Sequence, residues 1–251
     1  MKIGEIFKKL CEIAPPELAM PYDNSGFLIG DRERNVTKAV VCLDCTSSAI
    51  DYAVQKKAEL IISHHPIIFN PIRQIVADGD GKRIISCIEN KISVISMHTN
   101  LDSAADGVND CLARAIELNN IKRIDSDDGF SFRYGNLKEE MKAGDFATHV
   151  KNHLKSSVRY ADSDKIIKTV AVCGGSGGDF LTQAAKNADA FLTADIKHSV
   201  FISALEMNYP LFDGGHYATE NVVIEPLVKK LNNSICEVEF MGYNNEKIKS
   251  V

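Results

Sequence analysis

Side chains that suit metal binding occur at three separate places in the sequence. His64 and His65 end the apolar run ELIISHHP, and His216 and Glu220 lie four residues apart in DGGHYATE. Asp102 lies in the third segment, SMHTNLD. Imidazole nitrogens and carboxylate oxygens bind borderline divalent ions, and two ions can share one carboxylate. We therefore predict a site for two divalent ions (zinc, manganese or iron) with five ligands: His64, His65, Asp102, His216 and Glu220.

The residues around each pair favour a common orientation. Successive strand residues point to opposite faces, so His64 and His65 can reach one cleft only if the strand ends between them. Pro66 supports such an ending, because proline does not continue a central strand. His216 and Glu220 share one face of a helix, and the glycines before them allow a sharp turn from the preceding strand.

The elements that must position these ligands follow an alternating pattern in the first half of the chain. Short β-branched runs alternate with amphipathic segments, in the order KAVVCL, SSAIDYAVQKKA, ELIIS, GKRIISCIENK, ISVISM and ADGVNDCLARAIEL. This order predicts an α/β fold with a mostly parallel sheet, and Ser47 or Ser48 as the N-cap of the first of these helices. Asp44, the two histidines and the segment from His98 to Asp102 then lie at the carboxyl ends of strands, where open α/β sheets bind ligands.

The second half repeats this alternation. A polar interval precedes FSFRY, which we expect to form a hairpin or an edge strand, and we place a boundary near residue 125. The segment TENVVIEPLVKKLNN is expected to be a closing helix that Pro226 bends, followed by the strand CEVEFM. The predicted domains are 1–124, with HHP and HTNLD, and 125–251, with GGHYATE.

Composition narrows the class of protein. The 251 residues are 45% hydrophobic, which supports a substantial core, and the apolar runs are far shorter than the roughly 20 residues of a membrane span. The seven cysteines are odd in number and widely spread, which indicates reduced thiols in a cytoplasmic protein. Cys42 and Cys45 form a C-x-x-C motif, but the sequence has no second such pair to complete a four-cysteine zinc site. A net charge of -5 without a basic stripe argues against nucleic acid and for a small-molecule substrate.

Four blocks, in order, resemble one known family: ISHHPIIF, SMHTNLDSAADGVND, TADIKHSVFISALE and FDGGHYATE. The chain is similar to the NGG-interacting-factor-three-like family, whose members are named GTP cyclohydrolase 1 type 2 homologues and dinuclear-metal hexameric proteins. The resemblance implies two interlinked α/β halves with mostly parallel or mixed sheets flanked by helices, and a toroidal homohexamer. It also implies that His65 and Asp102 bind one ion, that His64 and His216 bind the other, and that Glu220 bridges them. His98 and His198 would neighbour the site.

Two functions fit these residues. One is metal-assisted hydrolysis of a phosphorylated or nucleotide-like compound, with His98 and His198 as general acid or base because imidazole titrates near neutral pH. The loop CGGSGGDF would then offer backbone amides to a phosphate, or simply make a tight turn. The other is a non-catalytic, metal-stabilised ring that handles metal or serves as an interaction scaffold. A nucleic-acid-binding ring would need a basic central surface.

His149 and His153 are interpreted as solvated, because no carboxylate lies in register with them on their helix.

Overall fold

The computed structural model describes residues 1–244 and contains two mixed β-sheets flanked by helices. The predicted α/β class is therefore confirmed. The chain divides into two compact units, one formed by Met1–Ala104 with the segment that begins at Ile224, the other by Ala105–Val223. None of the helices in the described part of the chain is long and apolar enough to cross a membrane.

The first unit contains a five-stranded sheet. Its strands are β1 (Gly26–Ile29), β2 (Lys38–Cys42), β3 (Leu60–Ser63), β4 (Ser93–Ser96) and a late strand, β11 (Glu239–Tyr243), in the order β1-β4-β3-β2-β11. All neighbours pair in parallel except β1, which is antiparallel to β4. Val40, Ile61 and Val94 are fully buried, as expected for parallel strands covered on both faces.

The helices of the first unit are α1 (Ile3–Ile13), α2 (Ser47–Lys56), α3 (Gly79–Glu89), α4 (Thr99–Ser103) and α10 (Ile224–Ser234). The N-cap of α2 is Thr46, whose Oγ1 accepts a hydrogen bond from the Ala49 amide at 3.2 Å. The prediction of Ser47 or Ser48 was wrong by one or two residues, because both already lie inside the first turn.

The second unit contains a six-stranded sheet. Its strands are β5 (Asn119–Asp125), β6 (Ser131–Met141), β7 (Arg159–Ala161), β8 (Ile167–Val172), β9 (Ala190–Thr193) and β10 (Leu211–Asp213), in the order β5-β6-β8-β9-β10-β7. Its helices are α5 (Val108–Ala115), α6 (Ala143–Leu154), α7 (Leu181–Asn187), α8 (His198–Glu206) and α9 (His216–Glu220). The segment FSFRY forms a hairpin with β5, as predicted, but it is not an edge strand, because β6 lies between β5 and β8.

The end of the chain differs from the single bent helix that the sequence suggested. Helix α9 is followed by a 3-10 turn, Asn221–Val223, and then by α10, in which Pro226 occupies the first turn. Proline fits there because the first-turn amides have no partner within the helix. The two units also divide the chain after Ala104 and Val223, whereas the expected halves met near residue 125.

Candidate metal site

In the first unit, the two adjacent histidines follow the end of β3. The backbone amides of His64 and His65 donate to Cys42 O and Leu43 O at 3.0 and 2.9 Å, so the chain still follows β2 at this point. His64 is buried and His65 half-buried, and their ring centroids are 5.0 Å apart. One ring nitrogen from each of His64, His65 and His98 lies within 4.8 Å of the other two. Both rings thus contribute to one cluster, as predicted, but β3 ends at Ser63, before the pair and not between its two members.

His64 is oriented by a backbone carbonyl. Its Nδ1 lies 2.8 Å from Met97 O, and because a carbonyl only accepts, Nδ1 carries the proton in the neutral ring. The lone pair is then on Nε2, which lies 3.5 Å from Oδ1 of the buried Asp102. Two ligands of one tetrahedral ion, with bonds of about 2.0–2.1 Å, are roughly 3.4 Å apart. This spacing suits His64 and Asp102 as ligands of the same ion, whereas the resemblance assigns Asp102 to the ion of His65.

His65 is oriented by a carboxylate from the neighbouring strand. Its Nδ1 lies 2.8 Å from Oδ1 of Asp44, which follows β2. The acceptor is again an oxygen, so the lone pair of the neutral ring is on Nε2. Metal-binding histidines commonly donate their second N–H to such a carboxylate.

His98 is held by Asp23, a residue that the sequence analysis did not single out. The Nδ1 of His98 lies 2.7 Å from Asp23 Oδ1. The same carboxylate accepts from the hydroxyls of Ser25 and Thr99, both at 2.6 Å. Burial alone would raise the pKa of Asp23, but the hydrogen bonds from His98, Ser25 and Thr99 outweigh it and hold the pKa well below the ordinary value. The only sequence signal was the motif DNSG, which is typical of a side-chain-capped turn.

The second unit positions its two predicted ligands in the same manner. Strand β10 ends at Asp213, and Gly215, with φ of 83°, turns the chain into α9. The Nδ1 of His216 lies 2.7 Å from Oδ2 of Asp195, and its Nε2 lies 2.9 Å from Oε2 of the buried Glu220. The predicted placement of both side chains on one helix face is therefore present.

The two Asp–His pairs repeat one arrangement. Asp44 and Asp195 each lie two residues beyond a strand, β2 and β9. Their histidines, His65 and His216, follow the parallel neighbours of those strands, β3 and β10, and each histidine is 21 residues after its aspartate. Each unit thus contains a histidine whose Nδ1 contacts a strand-end carboxylate and whose Nε2 is on the other side of the ring.

Three backbone amides of the glycine-rich loop after β8 already have partners. The amides of Gly174, Gly175 and Gly177 donate to side chains of the same unit, Asn109, Thr219 and Thr193, at 2.8, 3.1 and 2.8 Å. A Cβ on Gly175 would stand 2.1 Å from Oε1 of Glu220, and φ there is +62°. The loop therefore makes room for the Glu220 carboxylate, which favours the tight-turn alternative for CGGSGGDF, and the binding of a phosphate there stays a prediction.

Three other histidines differ in their surroundings. His198 is solvent-exposed at the first residue of α8. His149 and His153 on α6 were interpreted as solvated without a carboxylate, but His149 is half-buried and Glu117 lies beside the pair. The interpretation was therefore right for the exposed His153 and wrong for His149, and Glu117 follows the end of another helix, which the register of α6 alone does not reveal.

Each unit thus brings together its own share of the predicted residues: His64, His65, His98 and Asp102 in the first, His216 and Glu220 in the second. That both groups bind the same pair of ions stays a prediction.

The family model Duf34/NIF3 (NGG1p interacting factor 3) matches residues 1–247. This chain belongs to the Duf34/NIF3 family. A relative in Clostridium perfringens, named GTP cyclohydrolase 1 type 2 homolog, is 36% identical over 96% of this chain and 95% of its own length. NIF3-like protein 1 of Drosophila melanogaster is 29% identical, over 94% of this chain and 85% of its own.

Solved structures of the Duf34/NIF3 fold agree with this assignment. Staphylococcus aureus hypothetical protein SA1388 aligns with a TM-score of 0.92 at 30% identity, over 100% of this chain and 99% of that one. Reduced HcgD from Methanocaldococcus jannaschii aligns with a TM-score of 0.85 at 29% identity, over 96% and 97% of the two chains. The family predicted from the four sequence blocks is therefore confirmed.

Proposed function

We propose that this Duf34/NIF3 chain binds two divalent ions and hydrolyses a phosphorylated or nucleotide-like small molecule. The ions would be zinc, manganese or iron, held by the five predicted ligands: His64, His65, Asp102, His216 and Glu220. The observation that carries the proposal is the repeated Asp–His pair, which fixes Nδ1 of His65 and His216 and leaves Nε2 as the binding nitrogen.

The chemistry of the donors supports divalent metal binding. Neutral imidazole and carboxylate together suit borderline ions better than the oxygen-only sites that magnesium and calcium prefer. The 3.5 Å separation of His64 Nε2 and Asp102 Oδ1 also fits two ligands of one ion.

The chain's own residues would move the proton. When bound, a pair of divalent ions supplies Lewis-acid polarisation of a substrate oxygen and lowers the pKa of water toward neutrality. His98 is the better candidate for general acid or base, because Asp23 fixes its Nδ1 and leaves Nε2 to exchange a proton. His198, which is exposed to solvent, would serve as a second general acid or base.

The assembly and location belong to the same proposal. The resemblance implies a toroidal homohexamer, and the seven free cysteines suit the reducing cytoplasm. Light scattering coupled to size-exclusion chromatography measures the number of subunits. A monomer at micromolar concentration would contradict this part of the proposal alone.

Metal analysis paired with kinetics tests the function. Protein purified without chelators is expected to hold about two ions per chain, and His64→Ala and His216→Ala are each expected to lose metal and turnover against a panel of phosphoesters and nucleotides. His198→Ala is the matched control, since it should lower turnover and keep the metal. Purified protein without stoichiometric metal, or full turnover by His64→Ala, would contradict the hydrolase proposal. Bound metal without turnover on any compound would favour the scaffold function instead.

A further inference from the structure

A further group of imidazole and carboxylate side chains lies within the second unit, and none of its members is among the five proposed ligands. His149 and His153 are one turn apart on α6, with ring centroids separated by 4.0 Å. Glu117 follows the end of α5. One donor atom from each of the three residues lies within 4.8 Å of the other two.

Hydrogen bonds to backbone carbonyls decide which ring nitrogens are available. His149 donates through Nε2 to Ile116 O at 2.9 Å, so the lone pair of its neutral ring is on Nδ1. His153 donates through Nδ1 to His149 O at 2.8 Å, which leaves its lone pair on Nε2. That Nε2 lies 3.7 Å from Oε2 of Glu117.

The backbone holds Glu117 in place before any ion arrives. Glu117 has φ of +61° at the position after α5 where glycine is the usual residue. Its amide donates to Arg114 O at 3.0 Å, and the Leu118 amide donates to Ala113 O at 2.9 Å. The ring of His149 is stacked on Phe146, with centroids 6.0 Å apart. The backbone of Glu117 and the ring of His149 thus start from fixed positions, which lowers the entropy lost on binding.

We propose that Glu117, His149 and His153 bind a single borderline divalent cation, of the class of Zn²⁺ or Cu²⁺. Two imidazole nitrogens and one carboxylate oxygen are the donors such ions prefer, and magnesium and calcium are disfavoured by the nitrogens. The donors must close to roughly 3.4 Å for a tetrahedral ion. The Glu117 side chain, 70% exposed, is free of packing that would resist this movement. The ion would link the end of α5 to α6 and keep a coordination position for water.

Zinc binding by the full-length chain tests this site. Wild-type protein, His153→Ala and Glu117→Gln are dialysed to equilibrium against buffered micromolar Zn²⁺, and the ions per chain are counted. His153→Ala is expected to bind one ion fewer than wild type, and Glu117→Gln to bind the same ion at least tenfold more weakly. Lys151→Ala, on the same helix, is the matched control and should bind as wild type does.

A second measurement separates this site from the proposed function. In a His64→Ala/His216→Ala background, adding His153→Ala should still remove one Zn²⁺ per chain, whether or not the other ligands bind metal. The Glu117→Gln variant changes an exposed side chain without changing its size, so it reports on the site even if His153→Ala misfolds. Equal Zn²⁺ binding by wild type and both variants, or an equal loss in Lys151→Ala, would overturn the proposal.

Discussion

Single ring nitrogens decide what the histidines of the candidate site can bind. In His64, His65, His98 and His216, Nδ1 lies 2.7–2.8 Å from an oxygen that can only accept. Three of these oxygens belong to carboxylates, those of Asp44, Asp23 and Asp195. Each partner fixes the orientation of its ring, so the residues that hold the rings matter nearly as much as the rings themselves.

Gly175 is the residue whose replacement should most directly disturb Glu220. Gly175→Ala adds a Cβ that would stand 2.1 Å from Oε1 of Glu220, so we expect the carboxylate to move and the bound metal to be lost. The left-handed φ adds a cost of about 1–2 kcal/mol in the free energy of unfolding. Metal content and urea denaturation measure the two effects.

Gly129→Ala is the matched control for this variant. Gly129 has a positive φ of +88° in the same unit, but nothing lies within 4 Å of an added Cβ. Gly129→Ala should lower the free energy of unfolding by a similar amount and keep its metal. Equal metal content in both alanine variants would mean that Gly175 does not make room for Glu220.

Asp23 should make stability depend on acid pH. The pKa of Asp23 in the folded chain is lowered. Its contribution to the free energy of unfolding is therefore fully present above the ordinary carboxyl pKa of 3.8 and is lost as the pH falls below that value. Asp23→Asn should therefore reduce the free energy of unfolding at pH 7 by roughly 1.5–3 kcal/mol, and the difference from wild type should shrink near pH 3. Urea denaturation at the two pH values measures this. Asp51→Asn, an exposed change on α2, should have little effect at either pH.

At the scale of elements, the start of α2 offers a direct test of capping. Thr46→Ala removes the side chain that accepts from the Ala49 amide, and we expect it to lower the free energy of unfolding by about 1 kcal/mol. Ser47→Ala, one residue later and exposed, should change it by less than about 0.5 kcal/mol. Thermal and urea unfolding distinguish the two, and a larger loss in Ser47→Ala would restore the serine as the cap.

Elements with a strong local pattern were predictable from sequence, and the others were not. Strands β2, β3 and β4 are continuous apolar runs between turn signals, and each has an expected site residue after its end. Strand β5 is mostly exposed and lacks an apolar run, so nothing local marked it. The placement of β6 inside the sheet depends on pairing with β8, about 30 residues later, which no short pattern encodes.

In the candidate site, too, the residues marked by a local pattern were predictable from sequence and the others were not. The five predicted ligands could be proposed because each lies shortly after the end of a strand, either in the loop or on the short helix that follows it, and these are local features. The carboxylates that orient the histidines are distant in sequence: Asp44 and Asp195 lie 21 residues before His65 and His216, and Asp23 lies 75 residues before His98. Their role follows from which strands are neighbours, so it became visible only with the sheet order.

At the scale of the whole molecule, the first unit depends on the end of the chain. Strand β11 pairs in parallel with β2, and Leu227 and Leu231 of α10 are buried. Without them β2 would become an edge strand with an apolar sequence, which is a template for aggregation.

Removing residues 224–251 should therefore prevent the first unit from folding. We expect the shortened chain to be insoluble or to lose cooperative thermal unfolding, as measured by sedimentation and circular dichroism. Leu231→Ala in the full chain is the milder comparison, with an expected loss of about 2–5 kcal/mol and retained solubility. A soluble shortened chain with a sharp unfolding transition would contradict the dependence.

The pairing of β2 with β11 also sets an order of events on the ribosome. Roughly 200 residues separate the two strands, so at about 5–20 residues per second β2 waits some ten seconds or more for its partner to emerge. During that interval the nascent chain holds an unfinished apolar sheet edge, while the intervening segment can already fold. Slowing synthesis should thus lengthen the exposure of the first unit to chaperones and proteases without changing the finished protein.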